Sequence, residues 1–226
     1  MTGMSATPPM KAVIIPVTPF QQNCSIIWCT KTLRAAVIDP GGGVEQIRET
    51  VAKNGLTVER ILVTHGHVDH AAAVADLQDL LNVPVEGPAI EDNYWIIALR
   101  EHGAGYGMPY SRPFTPNRWL VDGDTVTVGE LVLNVLHCPG HTPGHVVFFH
   151  QPSRFAIVGD VIFEGSIGRT DFPGGNLDDL IRSVREKLFP LGDDITFLPG
   201  HGGLSSFGRE RQSNPYVGDR AVSGRR

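Results

Sequence analysis

The stretch "VTHGHVDH" at residues 63–70 sets three histidines and an aspartate, His65, His67, Asp69 and His70, within six positions directly after the apolar run "RILV". A short apolar run that ends in a bend places the next side chains at the rim of a sheet, where backbone curvature turns them toward a common point. Imidazoles suit zinc, iron or copper, and a carboxylate widens the choice toward manganese, so this is a first-row metal motif. Four groups so close in sequence can serve two sites but saturate neither. Further ligands are therefore expected at the ends of other strands. His141 in "CPGHTPGH", Asp160 at the end of "FAIVGD" and His201 in "LPGHG" answer that expectation, each in a glycine-flanked turn just past an apolar run. Taken singly, any of these histidines reads as an ordinary core or surface residue; only the joint pattern reads as a metal centre. His102, His137, His145 and His150 keep the ordinary reading, with His145 the exception to watch because it neighbours His141.

The periodicity around these motifs alternates between two and 3.6. Residues 11 to about 40 read as a meander of strands, and Val44, Ile47, Val51 and Ala52 then recur at helical spacing before Gly55 ends the run. "AAAVADLQDLL" is predicted as one amphipathic helix with Ala73, Leu77 and Leu81 on one side, ahead of the strand "VPVEG" and a helix over 91–102. Strands follow around "RWLVDGDTVTVGELVLNVLHCPG", with hairpin-type turns at 122–123 and 129–130, and "HVVFFHQPSRFAIVGD" reads as a second hairpin. Then come a helix over "NLDDLIRSVREKLF" capped by Asn176, the strand "ITFLPG" and a polar tail. Strands in both halves, each followed by helices, imply an α/β (α+β) fold of four layers, αββα: two mixed sheets flanked by helices. The expected divisions are a flexible segment over 1–10, one domain over 11–212 and a tail over 213–226.

Composition excludes several classes. A net charge of -5 with no basic stripe argues against nucleic acid, and Arg209, Arg211, Arg220, Arg225 and Arg226 read as a solvated tail. No 18-residue apolar span offers a membrane crossing. Cys24, Cys29 and Cys138 are too few for a disulfide framework, and the odd spacing of the first two along a strand points them to opposite faces. Buried thiols, with no secretory signal, favour the cytoplasm. "DPGGG" at 39–43 lacks the lysine of a phosphate loop and reads as a strand-end turn, in which Asp39 is placed to support the metal loop; Trp95 reads as core or pocket wall.

The ordered pattern T-H-x-H-x-D-H, a later His, a later Asp and a last His resembles the metallo-β-lactamase superfamily over nearly the whole chain. That resemblance implies that His65, His67 and His141 hold one metal, that Asp69, His70 and His201 hold a second, and that Asp160 bridges them. Two divalent cations, zinc with iron or manganese as alternatives, can share one water and lower its pKa toward about 7, which makes a bridging hydroxide the nucleophile. Asp69, besides ligating, would orient it.

Within the superfamily, Asp160 stands where many zinc β-lactamases carry cysteine, and no inserted nuclease domain or fused flavodoxin segment is present. "GDVIFEGSIGRTDFPGG" and "LPGHG" resemble glyoxalase II, the hydroxyacylglutathione hydrolases, where a basic residue nine positions past the bridging aspartate contacts a glutathione carboxylate; Arg169 holds that position. Asp171 stands where that family commonly has tyrosine, and the residues after His201 are too few for its helical domain. The likeness is therefore to the shorter single-domain bacterial type, with Arg169, Arg209 and Arg211 as candidate pocket-edge cations. The expected substrate is a glutathione thioester, S-D-lactoylglutathione. The rival is a persulfide dioxygenase with one iron on His65, His141 and Asp160; a third reading is a non-catalytic metal-binding module.

Overall fold

A computed structural model describes residues 9–223. The strands are β1 (Met10–Val17), β2 (Gln22–Cys29), β3 (Arg34–Ile38), β4 (Thr57–Leu62), β5 (Val85–Glu86), β6 (Thr125–Val128), β7 (Leu131–His137), β8 (Val146–His150), β9 (Phe155–Gly159), β10 (Ile162–Phe163), β11 (Ser166–Ile167), β12 (Thr196–Pro199) and β13 (Ser205–Ser206). The helices are α1 (Val44–Lys53), α2 (Val68–Ala71), α3 (Val74–Leu81), α4 (Asn93–Ile97), α5 (Leu99–Gly105), α6 (Leu177–Arg182), α7 (Phe207–Ser213) and α8 (Asp219–Ser223). One sheet runs β1-β2-β3-β4-β5 and the other β13-β12-β9-β8-β7-β6, while β10 and β11 form a separate hairpin. Both sheets are mixed, because β3-β4-β5 and β12-β9 pair in parallel and the remaining neighbours antiparallel.

Continuous apolar strands are what a sheet covered on both faces requires, and consecutive residues here enter different cores. Ile26 faces the helices outside the first sheet while Ile27 packs between the sheets. Val146 and Phe148 point between the sheets, whereas Val147 and Phe149 meet Leu180, Val184 and Leu188 on the far side. The four layers follow from that alternation. Cys24 and Cys29 fall on opposite faces of β2, and all three cysteines are buried free thiols. Burial pushes the Cys138 thiol up to about 12.

Local departures from the sequence expectation have identifiable causes. The single helix expected over "AAAVADLQDLL" breaks between α2 and α3, because the Ala73 N–H donates to the Pro40 carbonyl at 3.0 Å rather than continuing the helical ladder. The helix expected over 91–102 divides at Ala98 into α4 and α5. The 129–130 turn closes the β6–β7 hairpin, but the turn at 122–123 leads from the stretch bridged to β5 at Arg118 into β6, so it joins the two sheets.

Regular structure extends toward both ends of the described residues. Met10 opens β1 and is buried, while residues 1–8 lie outside the described residues. The polar stretch after "ITFLPG" carries α7 and α8, with Asn214 and Val217 buried. Its polarity is satisfied internally: the buried Glu210 carboxylate accepts from Ser205 Oγ, from Asn214 Nδ2 at 2.8 Å and from the Gly165 N–H at 2.8 Å. Arg209 and Arg211 are held by Glu164 and Asp193 rather than free. No helix among the described residues is long and apolar enough to cross a membrane.

Phe148 lies between the sheets and is fully buried. Phe148→Ala is expected to cost about 3–5 kcal/mol in urea unfolding, through lost burial and an uncollapsed cavity.

Candidate metal centre

The loop between β4 and α2, the turn before β8, the end of β9 and the turn after β12 meet at one rim of the two sheets. Each delivers part of the motif. His65, His67 and His141 bring one nitrogen each within 4.8 Å of one another, and Asp69, His70 and His201 do the same with their ligand atoms. Asp160 lies between the triads: Oδ1 is 3.3 Å from His70 Nε2, while Oδ2 is 3.6 Å from both His141 Nε2 and His201 Nε2. Asp69 Oδ2 sits 3.1 Å from His201 Nε2. All seven candidates from the sequence therefore converge.

The hydrogen bonds sort the imidazole nitrogens. Nδ1 of His65 meets Thr64 Oγ1 at 3.0 Å, Nδ1 of His70 meets Asp39 Oδ2 at 3.0 Å, Nδ1 of His141 donates to the Arg169 carbonyl at 2.7 Å and Nδ1 of His201 to the Phe20 carbonyl at 3.2 Å. That arrangement leaves Nε2 as a lone-pair donor aimed into the centre. Nε2 of His65, His67, His70 and His141, and Oδ1 of Asp160, are buried with no hydrogen-bond partner. Buried acceptors facing one another are costly unless a cation lies among them. The donor set, mixed imidazole and carboxylate, fits first-row divalent metals. A third cluster, Asp39, His65 and His70, is the layer behind the second triad, since Asp39 already accepts from Thr64 N–H, Thr64 Oγ1 and His70.

The electrostatics agree with this division. Burial, then the neighbouring imidazoles, holds His65 and His67 well below the ordinary histidine value, in the neutral form that ligates. For His70 burial pulls the same way but Asp160 and Asp69 outweigh it and raise the value; for His201 burial is likewise outweighed, by Asp69 and Asp160. Burial alone would raise Asp160, yet His70, His141 and His201 hold it below the usual carboxylate range.

Backbone requirements explain the glycines. Gly159, at φ 50°, precedes Asp160, and a Cβ there would lie 2.6 Å from His145 Nε2. A Cβ on Gly200 would collide with the Asp160 carboxylate and the His70 ring. Asp39 itself adopts φ 52°, an uncommon conformation for a residue with a side chain, which its three accepted hydrogen bonds hold in place.

His145 is drawn in, but not as an eighth member of the triads. Its Nε2 accepts the Asp160 backbone N–H at 3.0 Å, and its ring stacks on His65 with centroids 4.6 Å apart. Sequence reasoning missed Asp92 entirely. This fully buried carboxylate accepts from the Gly66 N–H at 2.8 Å, from Thr142 Oγ1 at 2.8 Å and from the Gly144 N–H at 2.6 Å. It thus ties the loop of His65 and His67 to the loop of His141. Burial pushes its carboxyl up to about 6, against the pull of those donors. In the sequence it is one acidic residue in a helical stretch, with no ligand spacing to single it out.

Over the centre opens a cavity of about 620 Å³, with Asp69, His141, Asp160 and His201 on its floor. Trp95 and Phe172 form its wall, packed edge-on to His67 at 4.4 and 4.9 Å between centroids. Arg169 reaches the rim, whereas Arg209 and Arg211 do not line the cavity.

The family model of the metallo-beta-lactamase superfamily matches residues 17–201. A curated relative from Haemophilus influenzae, hydroxyacylglutathione hydrolase GloC, is 41% identical, with 94% of this chain and 100% of that one covered. The crystal structure of BLEG-1 B3 metallo-beta-lactamase superposes with TM-score 0.84 at 32% identity, covering 92% of this chain and 99% of that one. The structure of TTHA1623 in a di-iron-bound form gives TM-score 0.82 at 32% identity, covering 90% and 99%.

Asp92→Asn puts an N–H₂ against donors on at least one side. We expect it to lose about 2–4 kcal/mol of stability and to retain less metal per chain, read by thermal unfolding and elemental analysis; unchanged values on both would show that the strap is dispensable.

Proposed function

The chain belongs to the metallo-beta-lactamase superfamily, and on that premise we propose that it is a binuclear metallo-hydrolase cleaving a 2-hydroxyacyl thioester of glutathione, S-D-lactoylglutathione to D-lactate and glutathione. The observation that carries the reading is the pair of ligand triads facing one shared carboxylate, Asp160, on the floor of an open cavity. The end-to-end likeness to a hydroxyacylglutathione hydrolase supports the thioester as the bond cleaved.

In this reading His65, His67 and His141 hold one cation, Asp69, His70 and His201 the other, and Asp160 lies between them. Zinc suits the set, and iron and manganese remain chemically compatible with it. Bound there, two divalent cations supply Lewis acidity, acidifying a water from nearly 16 toward about 7 and polarising a carbonyl. The protein does the rest. Asp39, the Arg169 carbonyl and the Phe20 carbonyl orient the imidazoles, and the Asp69 carboxylate at the cavity floor accepts a proton-bearing contact from the attacking water. A thiol of pKa about 8.5 leaves readily as thiolate, so the reaction makes no demand for a separate buried acid. The buried free thiols support a reducing compartment, the cytoplasm, as its setting.

A mononuclear persulfide dioxygenase would use His65, His141 and Asp160 alone and leave His67, Asp69, His70 and His201 without purpose. A non-catalytic module is disfavoured for the same reason: the full constellation is assembled under an open cavity.

Offered side by side, S-D-lactoylglutathione should lose its thioester absorbance without oxygen uptake, while glutathione persulfide should consume no oxygen. Oxygen consumption without thioester cleavage would replace the hydrolase with the dioxygenase. Asp160→Ala should lower the metal content and abolish turnover; a variant that kept both metals and full rate would remove Asp160 from the centre.

A further inference from the structure

Resting on the thioester reading above, we propose that this pocket selects the apolar body of the acyl group and recognises the charges of the thiol only weakly, so that aromatic 2-hydroxyacyl thioesters are preferred over lactoyl. Three observations carry the inference. The first is the character of the walls. Phe20, Tyr94, Trp95, Tyr106, Phe163 and Phe172 line a cavity of about 620 Å³, far more than a lactoyl group occupies. Several of these rings hold one another or the metal loop in place: Phe20 meets Tyr106 edge-on at 5.6 Å, and Trp95 meets His67 edge-on at 4.4 Å. A preformed aromatic slot gains most from a ligand that fills it with a flat apolar group.

The second observation concerns charge. Glutathione carries two carboxylates and one ammonium, and a site built to read them would present unengaged guanidinium or ammonium groups. Among the described residues lining the cavity, Arg169 is the one permanent cation. Its Nε and an Nη donate to the two oxygens of Asp171 at 2.9 and 2.8 Å, and its guanidinium lies over the Phe172 ring at 4.4 Å. A substrate carboxylate arriving there would exchange one carboxylate for another. Little net attraction results.

Thirdly, the backbone of the same residue is already employed, since the Arg169 carbonyl accepts from His141 Nδ1 at 2.7 Å. The loop is therefore anchored beneath the arginine, so its guanidinium meets a ligand by side-chain rotation alone and must first leave Asp171. His102, the histidine of the lining outside the candidate ligand set, packs against Trp95.

The test uses four thioesters with the metal-loaded enzyme: D-lactoyl and D-mandeloyl groups, each on glutathione and on uncharged N-acetylcysteamine. Replacing lactoyl by mandeloyl should raise kcat/KM about tenfold on both thiols, the order that filling an apolar pocket supplies. Removing the glutathione charges should cost less than about tenfold, below what a dedicated carboxylate contact is worth. Tyr106→Ala, which removes one ring of that wall, should lower kcat/KM for the mandeloyl esters by more than for the lactoyl esters and so shrink the mandeloyl advantage. Lactoylglutathione cleaved faster than mandeloylglutathione, or a loss of a hundredfold or more on N-acetylcysteamine, would overturn the proposal and leave the hydrolase reading standing. If none of the four is cleaved, the hydrolase reading falls and this inference with it.

Discussion

The structure depends on a group of buried lone pairs that point at one another. Five such atoms, Nε2 of His65, His67, His70 and His141 and Oδ1 of Asp160, have no hydrogen-bond partner. Buried away from water, such an arrangement is tolerated only when positive charge sits among the acceptors. The carboxylates of Asp69 and Asp160 raise His70 and His201 against the pull of burial, which marks the second triad as the more negative half of the centre.

Holding those lone pairs in position is the work of the surrounding fold. Strand ends from both sheets supply the backbone, and side chains behind them set the orientation. Asp39 fixes the second triad through His70, Asp92 straps the first-triad loops to each other, and His145 holds the Asp160 backbone. Because Asp92 ties a loop of the first sheet to a loop of the second, and Asp160 at the end of β9 faces His70 beyond β4, the centre depends on how the sheets are stacked. That stacking comes from strands whose alternate residues feed separate cores. Packing and chemistry are coupled in this way: a shift between the sheets would separate Asp160 from His70.

Much of this was legible in the sequence because the candidate ligands occur in a compact motif and in glycine-flanked strand ends, and because apolar strands announce two covered faces. The seven-residue centre and the four layers rest on such short-range signals. What escaped notice depends on contacts across long stretches of chain. Asp92 acts on Gly66 and Gly144, residues far from it in sequence, and carries no spacing of its own. The helix at 74–81 begins late because Ala73 bonds to Pro40, a tertiary competitor that periodicity cannot register. Likewise the polar letters of α7 hide a buried network around Glu210, which composition alone reads as a solvated tail. Arg169 was singled out by its place nine positions past Asp160, but its engagement by Asp171 is a matter of rotamer and distance.

Whether two cations share Asp160 is decided by anomalous diffraction from a metal-loaded crystal. Two peaks are expected, separated by about 3.5–4 Å as in binuclear hydrolytic sites, one beside His65, His67 and His141, the other beside Asp69, His70 and His201, with an Asp160 oxygen touching each. A single peak beside His65, His141 and Asp160, or none in fully loaded protein, would contradict that sharing.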